Sequence, residues 1–69
     1  MPVFDGKKFA ALRKAAGYTQ RALGEAIGTV EQHVQVWEYG KKVPTADYLL
    51  RVMILLGCTA ADLVSDGEE

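Results

Sequence analysis

The chain has 69 residues, 49% of them hydrophobic and 25% charged, with two prolines; this is enough for one core and too little for two. Its one cysteine, Cys58, cannot close an internal disulfide, and one Cys with one His cannot complete a tetrahedral zinc site, so neither a crosslink nor a metal braces a chain that buries only roughly 60% of its unfolded surface. The net charge is −1 but unevenly laid: the first 58 residues carry all eight Lys and Arg against five acids, net +3, and residues 59–69 carry four acids and no cation, a balance that permits phosphate binding without demanding it.

The chain reads as five short helices punctuated by glycines, without an alternating strand pattern or internal repeat. Asp5 is a good N-cap for the first, with Phe4 and Phe9 spaced as a hydrophobic staple. Phe9, Leu12 and Ala16 fall on one face, Arg13 and Lys14 sit near the closing carbonyls, and Gly17 ends the helix in the left-handed conformation. Thr19 caps a second helix, Gln20 to Ile27, in which Leu23 and Ile27 face inward and Gly28 is the stop. Gly24 in its middle costs up to about 1 kcal/mol relative to Ala, so another helix is expected to approach the backbone there.

Thr29 is positioned to cap a third helix, from about Val30 to Glu38 or Tyr39, closed by Gly40. At roughly 100° per residue, Val30, Val34 and Trp37 cluster on one side, while Gln32 and Val36 point nearly opposite, flanked by His33 and Gln35. That outward side is polar and almost uncharged. Lys41-Lys42-Val43-Pro44 is a basic loop. Thr45 caps a fourth helix whose Leu49, Leu50, Val52, Met53, Leu55 and Leu56 are apolar nearly all round, which predicts heavy burial. After Gly57, Thr59 and Asp62 form a capping-box start for a fifth helix, Ala60 to about Val64. Residues 5–64 are thus read as the core of one domain, and 65–69 as an acidic, frayed tail.

The run from Thr19-Gln20-Arg21-Ala22-Leu23-Gly24 through Gly28-Thr29-Val30 to Val34, Trp37 and Gly40 resembles the helix-turn-helix of phage Cro and repressor-type DNA-binding domains, the xenobiotic response element family. The likeness spans roughly residues 9–64, taking in Leu12-Arg13, Gly17-Tyr18-Thr19-Gln20, Lys41 to Thr45 and Leu56-Gly57-Cys58-Thr59. It implies an all-α, five-helix repressor-like fold with the helix-turn-helix at helices two and three. Helix three would lie in the major groove of double-stranded DNA and helix two across the backbone. The spacing also has its own physics: two steeply crossing helices need a small residue at their contact, a permissive turn, and apolar residues locking one on the other. Where many members carry an apolar residue and then Ser or Thr before helix three, this chain has Thr29-Val30, which displaces the capping hydroxyl by one position.

The resemblance places Gln20 where side chain and backbone N–H meet a phosphate, and Lys41 and Lys42 beside the sugar-phosphate chain; for the lysines an ordinary solvated charge pair is the alternative. Gln32 is the leading base reader, since an amide can pair bidentately with adenine. His33 and Gln35 flank it for phosphate or base contacts, and Val36 is suited to a thymine methyl. Glu31 either accepts from a cytosine amino group or simply complements the helix dipole. In relatives, the counterparts of Arg13 and Glu38 form an ion pair tying helix one to helix three, and the same is expected here. Trp37 reads as core, Cys58 as a buried thiol, and Tyr39 as a phosphate contact or a cover for the helix end.

These readings converge on a sequence-specific DNA-binding regulator, a repressor working as a homodimer on a pseudo-palindromic site and joined through helix five or the loop before it. No phosphate loop, paired carboxylates or nucleophile and base constellation is present, so the chemistry is binding alone, without enzyme activity, cofactor or metal. The alternative is an antitoxin-like or other protein-interaction module on the same fold, using Val36, Tyr39 or the last helix for a protein partner; Glu31 and the acidic end favour it. With no apolar run of roughly 20 residues and no signal-peptide pattern in Met1 to Asp5, a cytoplasmic location is expected and a membrane role is not.

Overall fold

A computed structural model describes residues 1–66. Strand β1 (Pro2–Phe4) leads into helices α1 (Gly6–Ala15), α2 (Gln20–Ile27), α3 (Glu31–Tyr39) and α4 (Ala46–Leu56), followed by a 3₁₀ turn (Ala60–Leu63) and strand β2 (Val64–Asp66). The caps form largely where the side chains call for them. Asp5 Oδ1 accepts from the N–H groups of Lys7 and Lys8 at 2.9 and 3.2 Å. Thr19 Oγ1 accepts from Ala22 N at 3.0 Å. Phe4 and Phe9 meet as the staple spacing predicts, with ring centroids 5.8 Å apart.

Phe9, Leu23, Ile27, Val34, Trp37, Val52 and Leu63 form the buried core, so every described helix and the 3₁₀ turn contributes at least one side chain to it. Two glycines let the backbones close. A Cβ on Gly24 would sit 3.1 Å from the carbonyl carbon of Val30, which is the close approach its place in α2 predicts. Gly6 is tighter still: a Cβ there would lie 2.5 Å from the carbonyl oxygens of both Trp37 and Glu38, so the start of α1 rests directly on the end of α3.

Several expectations are corrected. Among the described residues there are four α-helices, not five, because the last element is a single 3₁₀ turn; Thr59 and Asp62 make its capping box, but the chain then leaves as a strand. Second, Ser65 and Asp66 are not frayed. They pair antiparallel with β1 in the register Pro2↔Asp66, Val3↔Ser65 and Phe4↔Val64, and Asp5 N donates to Leu63 O at 2.7 Å beside them; residues 67–69 of the expected tail lie outside the described residues.

Third, α4 is not heavily buried. Only Val52 is fully enclosed; Tyr48, Leu49, Met53, Leu55 and Leu56 pack partly buried against the core, while Leu50 is 54% and Ile54 83% exposed. Fourth, Val30 is not part of the core. It is the N-cap of α3, extended and 52% exposed, and Thr29 does not cap the helix. Cys58, expected buried, is half-buried against the core. Burial first, and then the Asp62 carboxylate, push its thiol above the ordinary range, which suits a packing residue and not a nucleophile.

Candidate nucleic-acid interface

The face formed by α2, the turn Gly28–Val30 and α3 is built from the inside outward. Leu23, Ile27, Val34 and Trp37 lock the two helices to each other and to the core. Thr29 N donates to Gly24 O at 2.7 Å across the turn. Glu38, on the inner side of α3, gathers three donors from the first half of the chain: Arg13 Nε to Oε2 at 2.6 Å, Arg13 Nη2 to Oε1 at 3.3 Å and Gln20 Nε2 to Oε1 at 2.9 Å. Arg13 Nη1 donates to Tyr18 O at 2.8 Å. Both members of the ion pair keep only 9% of their side-chain exposure, so the expected tie between α1 and α3 is present and extends to the first residue of α2. A buried, nearly fully hydrogen-bonded guanidinium and carboxylate fix relative orientation more than they add net stability.

The outward side chains of α3 are left available by this arrangement. Gln32 and His33 are exposed, and Glu31, Gln35 and Val36 are half-buried. Gln35 Nε2 donates to Glu31 Oε2 at 3.4 Å one turn away, so these two engage each other, while the Gln32 side chain makes no hydrogen bond within the described residues. Lys41 and Lys42 are exposed beyond the end of α3, and the loop they occupy is anchored by Lys41 N donating to Val36 O at 3.1 Å. Gln20, half-buried at the start of α2, spends one amide hydrogen on Glu38 and keeps the second.

Of the eight residues singled out in the sequence, Gln32, His33, Lys41 and Lys42 are exposed, Glu31, Gln35 and Val36 are half-buried, and Gln20 is tied inward to Glu38. Two more on this face were missed. Arg21 is exposed on α2 and pairs with Glu25 at 3.4 Å, a surface pair of the kind worth little in water, so its guanidinium is readily exchanged to another anion. Thr29 Oγ1 lies 2.6 Å from His33 Nδ1, a contact that the four-residue spacing of the two side chains already allows in a helix start. Tyr39 is 75% exposed and does not close over the helix end. Among the described residues no cluster of His, Cys, Asp or Glu could hold a metal ion, and no helix is long and apolar enough to cross a membrane.

Residues 9–63 match the sequence model of the helix-turn-helix family. The P22 c2 repressor protein, solved in complex with synthetic operator 9T in the presence of Tl+, is 30% identical and superposes with a TM-score of 0.74 over 78% of this chain and 82% of that one. The restriction-modification controller protein C.AhdI from Aeromonas hydrophila is 23% identical with a TM-score of 0.74 over 83% of this chain and 86% of that one; that likeness speaks for the fold alone. No curated protein sequence matches the chain.

Proposed function

The chain belongs to the helix-turn-helix family of Cro/C1-type DNA-binding transcription regulators, and from that premise we propose that it is a sequence-specific repressor that reads the major groove with α3. The observation that carries the reading is the exposed pair Gln32 and His33 on a helix whose opposite side is clamped by the Arg13, Gln20 and Glu38 cluster. A base-reading side chain must be free at its tip and fixed at its base, because interactions are spent on selection only when the scaffold does not have to be ordered at the same time. The likeness to the P22 c2 repressor, solved in complex with a synthetic operator, supports DNA as the ligand.

In this proposal Gln32 pairs with adenine, Val36 meets a thymine methyl, and His33 and Gln35 reach the neighbouring base or phosphate. Glu31, engaged by Gln35, accepts from cytosine or stays with its partner. Gln20 offers its remaining amide hydrogen and the helix start to a phosphate, and Lys41 and Lys42 hold the backbone beyond α3. The active species is a homodimer on a pseudo-palindromic site. Its joint is drawn toward the exposed Leu50 and Ile54 of α4 and the Gly57–Thr59 loop, in place of a fifth helix.

Titration of labelled duplex over a range of salt tests the phosphate contacts: log affinity should fall linearly with log salt, and Lys41→Ala or Lys42→Ala should each flatten the slope by about one. Salt-independent binding would overturn the proposal. Selection from random duplexes with the parent chain and with Gln32→Ala tests the reading itself, with loss of preference at one or two base pairs as the expected result. The competing reading, an antitoxin-like protein-interaction module, draws on Tyr39 at 75% exposure; a protein retained on the immobilised chain after nuclease treatment, with no duplex selected, would favour it.

A further inference from the structure

The hydrogen bond of the Thr29 hydroxyl on the α2–α3 face serves no helix end. Thr29 is pinned by its own N–H on Gly24 O, and its hydroxyl makes no cap for α3. The hydroxyl instead meets Nδ1 of His33 at 2.6 Å, on an imidazole that is exposed to solvent. Trp37 backs that ring from the next turn, with centroids 6.2 Å apart and planes 32° from each other. His33 is thus held before any ligand arrives, and Nε2 is the ring nitrogen left over.

A neutral imidazole has one N–H and one bare nitrogen, and which is which decides whether its free edge donates or accepts. Thr29 Oγ1 has no other hydrogen-bond partner among the described residues, so its proton has one protein acceptor within reach, Nδ1. The contact is satisfied in either direction; with Thr29 as donor, Nδ1 is bare and the neutral ring carries its proton on Nε2. When the ring takes a second proton, Nδ1–H donates back to the same hydroxyl and Nε2 keeps its hydrogen. With Thr29 donating, the free edge is a donor in both charge states.

We propose that Thr29 is a positioning residue that sets His33 as a hydrogen-bond donor through Nε2, and thereby makes the ridge select an acceptor-bearing base edge. Guanine, with N7 and O6 side by side, is the best match, and the cytosine amino group, which only donates, is the edge refused. The consequence for bases rests on α3 being the reading helix; the lock between Thr29 and His33 does not.

Two measurements separate those parts. Nitrogen-15 correlation spectra of the imidazole in the full chain, without DNA and at a pH where the ring is neutral, should show Nδ1 as the unprotonated nitrogen and Nε2 as the protonated one. Thr29→Val should mix the tautomers and Thr29→Ser should restore the parent spectrum. A protonated Nδ1 in the parent chain, or a Thr29→Val spectrum identical to it, overturns the lock. In duplex selection, Thr29→Val should weaken binding about fivefold, the worth of one hydrogen bond, and flatten preference at the single base pair where His33→Ala also flattens it, with Thr29→Ser again restoring both. Uniform weakening across all sequences, with the salt slope reduced, would place Nε2 on a phosphate and overturn the base-selection claim. A chain that selects no duplex overturns the DNA reading, while the spectra still decide the lock.

Discussion

Glu38 is the residue on which the geometry of the face turns. Its carboxylate takes two hydrogen bonds from Arg13 and one from Gln20, and Arg13 itself is buried. Arg13→Ala would leave a largely enclosed carboxylate with the Gln20 amide alone, and breaking one side of such a pair costs about 3 kcal/mol. In a chain this size each kcal/mol moves the midpoint by roughly 4–8 °C, so thermal unfolding of Arg13→Ala should shift down by well over ten degrees. An unmoved midpoint would mean that the pair is solvated in solution. Gly6 makes a second prediction at this scale. Its Cβ position is already occupied by the carbonyl oxygens of Trp37 and Glu38, which are backbone and cannot step aside, so Gly6→Ala should lower stability by about 2–3 kcal/mol; a variant as stable as the parent in urea unfolding would contradict the contact.

The elements were legible in the sequence wherever their signals are local. Asp5, Thr19, Gly28, Gly40 and Gly57 mark helix ends through their own side chain or its absence, and α1, α2 and α3 lie within a residue or two of where those marks put them. What was not legible depends on the two ends of the chain meeting. Three-residue strands have no periodicity to read, and β1 and β2 exist because Phe4 and Val64 are brought together by the packing of Phe9 and Leu63. At the site, the outward ridge followed from helical geometry, but the Thr29 to His33 bond did not, since a Thr before a helix is more often its cap.

The junction of the two ends is also where acid should act first. The Lys8 N–H, with the Ser65 hydroxyl and the Lys7 N–H, holds the Asp5 carboxyl below its usual 3.8. The Thr59 N–H and hydroxyl do the same for Asp62. A carboxyl with a lowered folded pKa stabilises the fold fully above the unfolded value, and that contribution is lost as pH falls through the folded value. The parent chain should therefore lose stability below about pH 3.8 more steeply than the Asp5→Asn, Asp62→Asn double variant, which keeps acceptors at both caps without the charge. Parallel acid limbs in thermal melts of the two would show that neither cap is coupled to folding.

For the whole molecule, size and surface decide how it would meet DNA. Its longest dimension is 33 Å, close to one helical turn of duplex, and half-sites one turn apart call for two copies on the same side of the helix. One reading ridge covers few base pairs, so a lone copy gains little discrimination, whereas joining two converts the second encounter into an intramolecular one. The joint needs apolar surface that folding leaves uncovered, and α4 supplies it in Leu50 and Ile54, one turn apart and 54% and 83% exposed. Neither belongs to the buried core, so Ile54→Lys should keep the parent's helix content and midpoint. It should nonetheless sediment as a monomer at concentrations where the parent associates. On duplex carrying two half-sites its affinity should drop at least tenfold, while on a single half-site it should match the parent, because only the coupling between copies has been removed. Equal losses on both duplexes would show that Ile54 acts within one copy, and would move the joint away from α4.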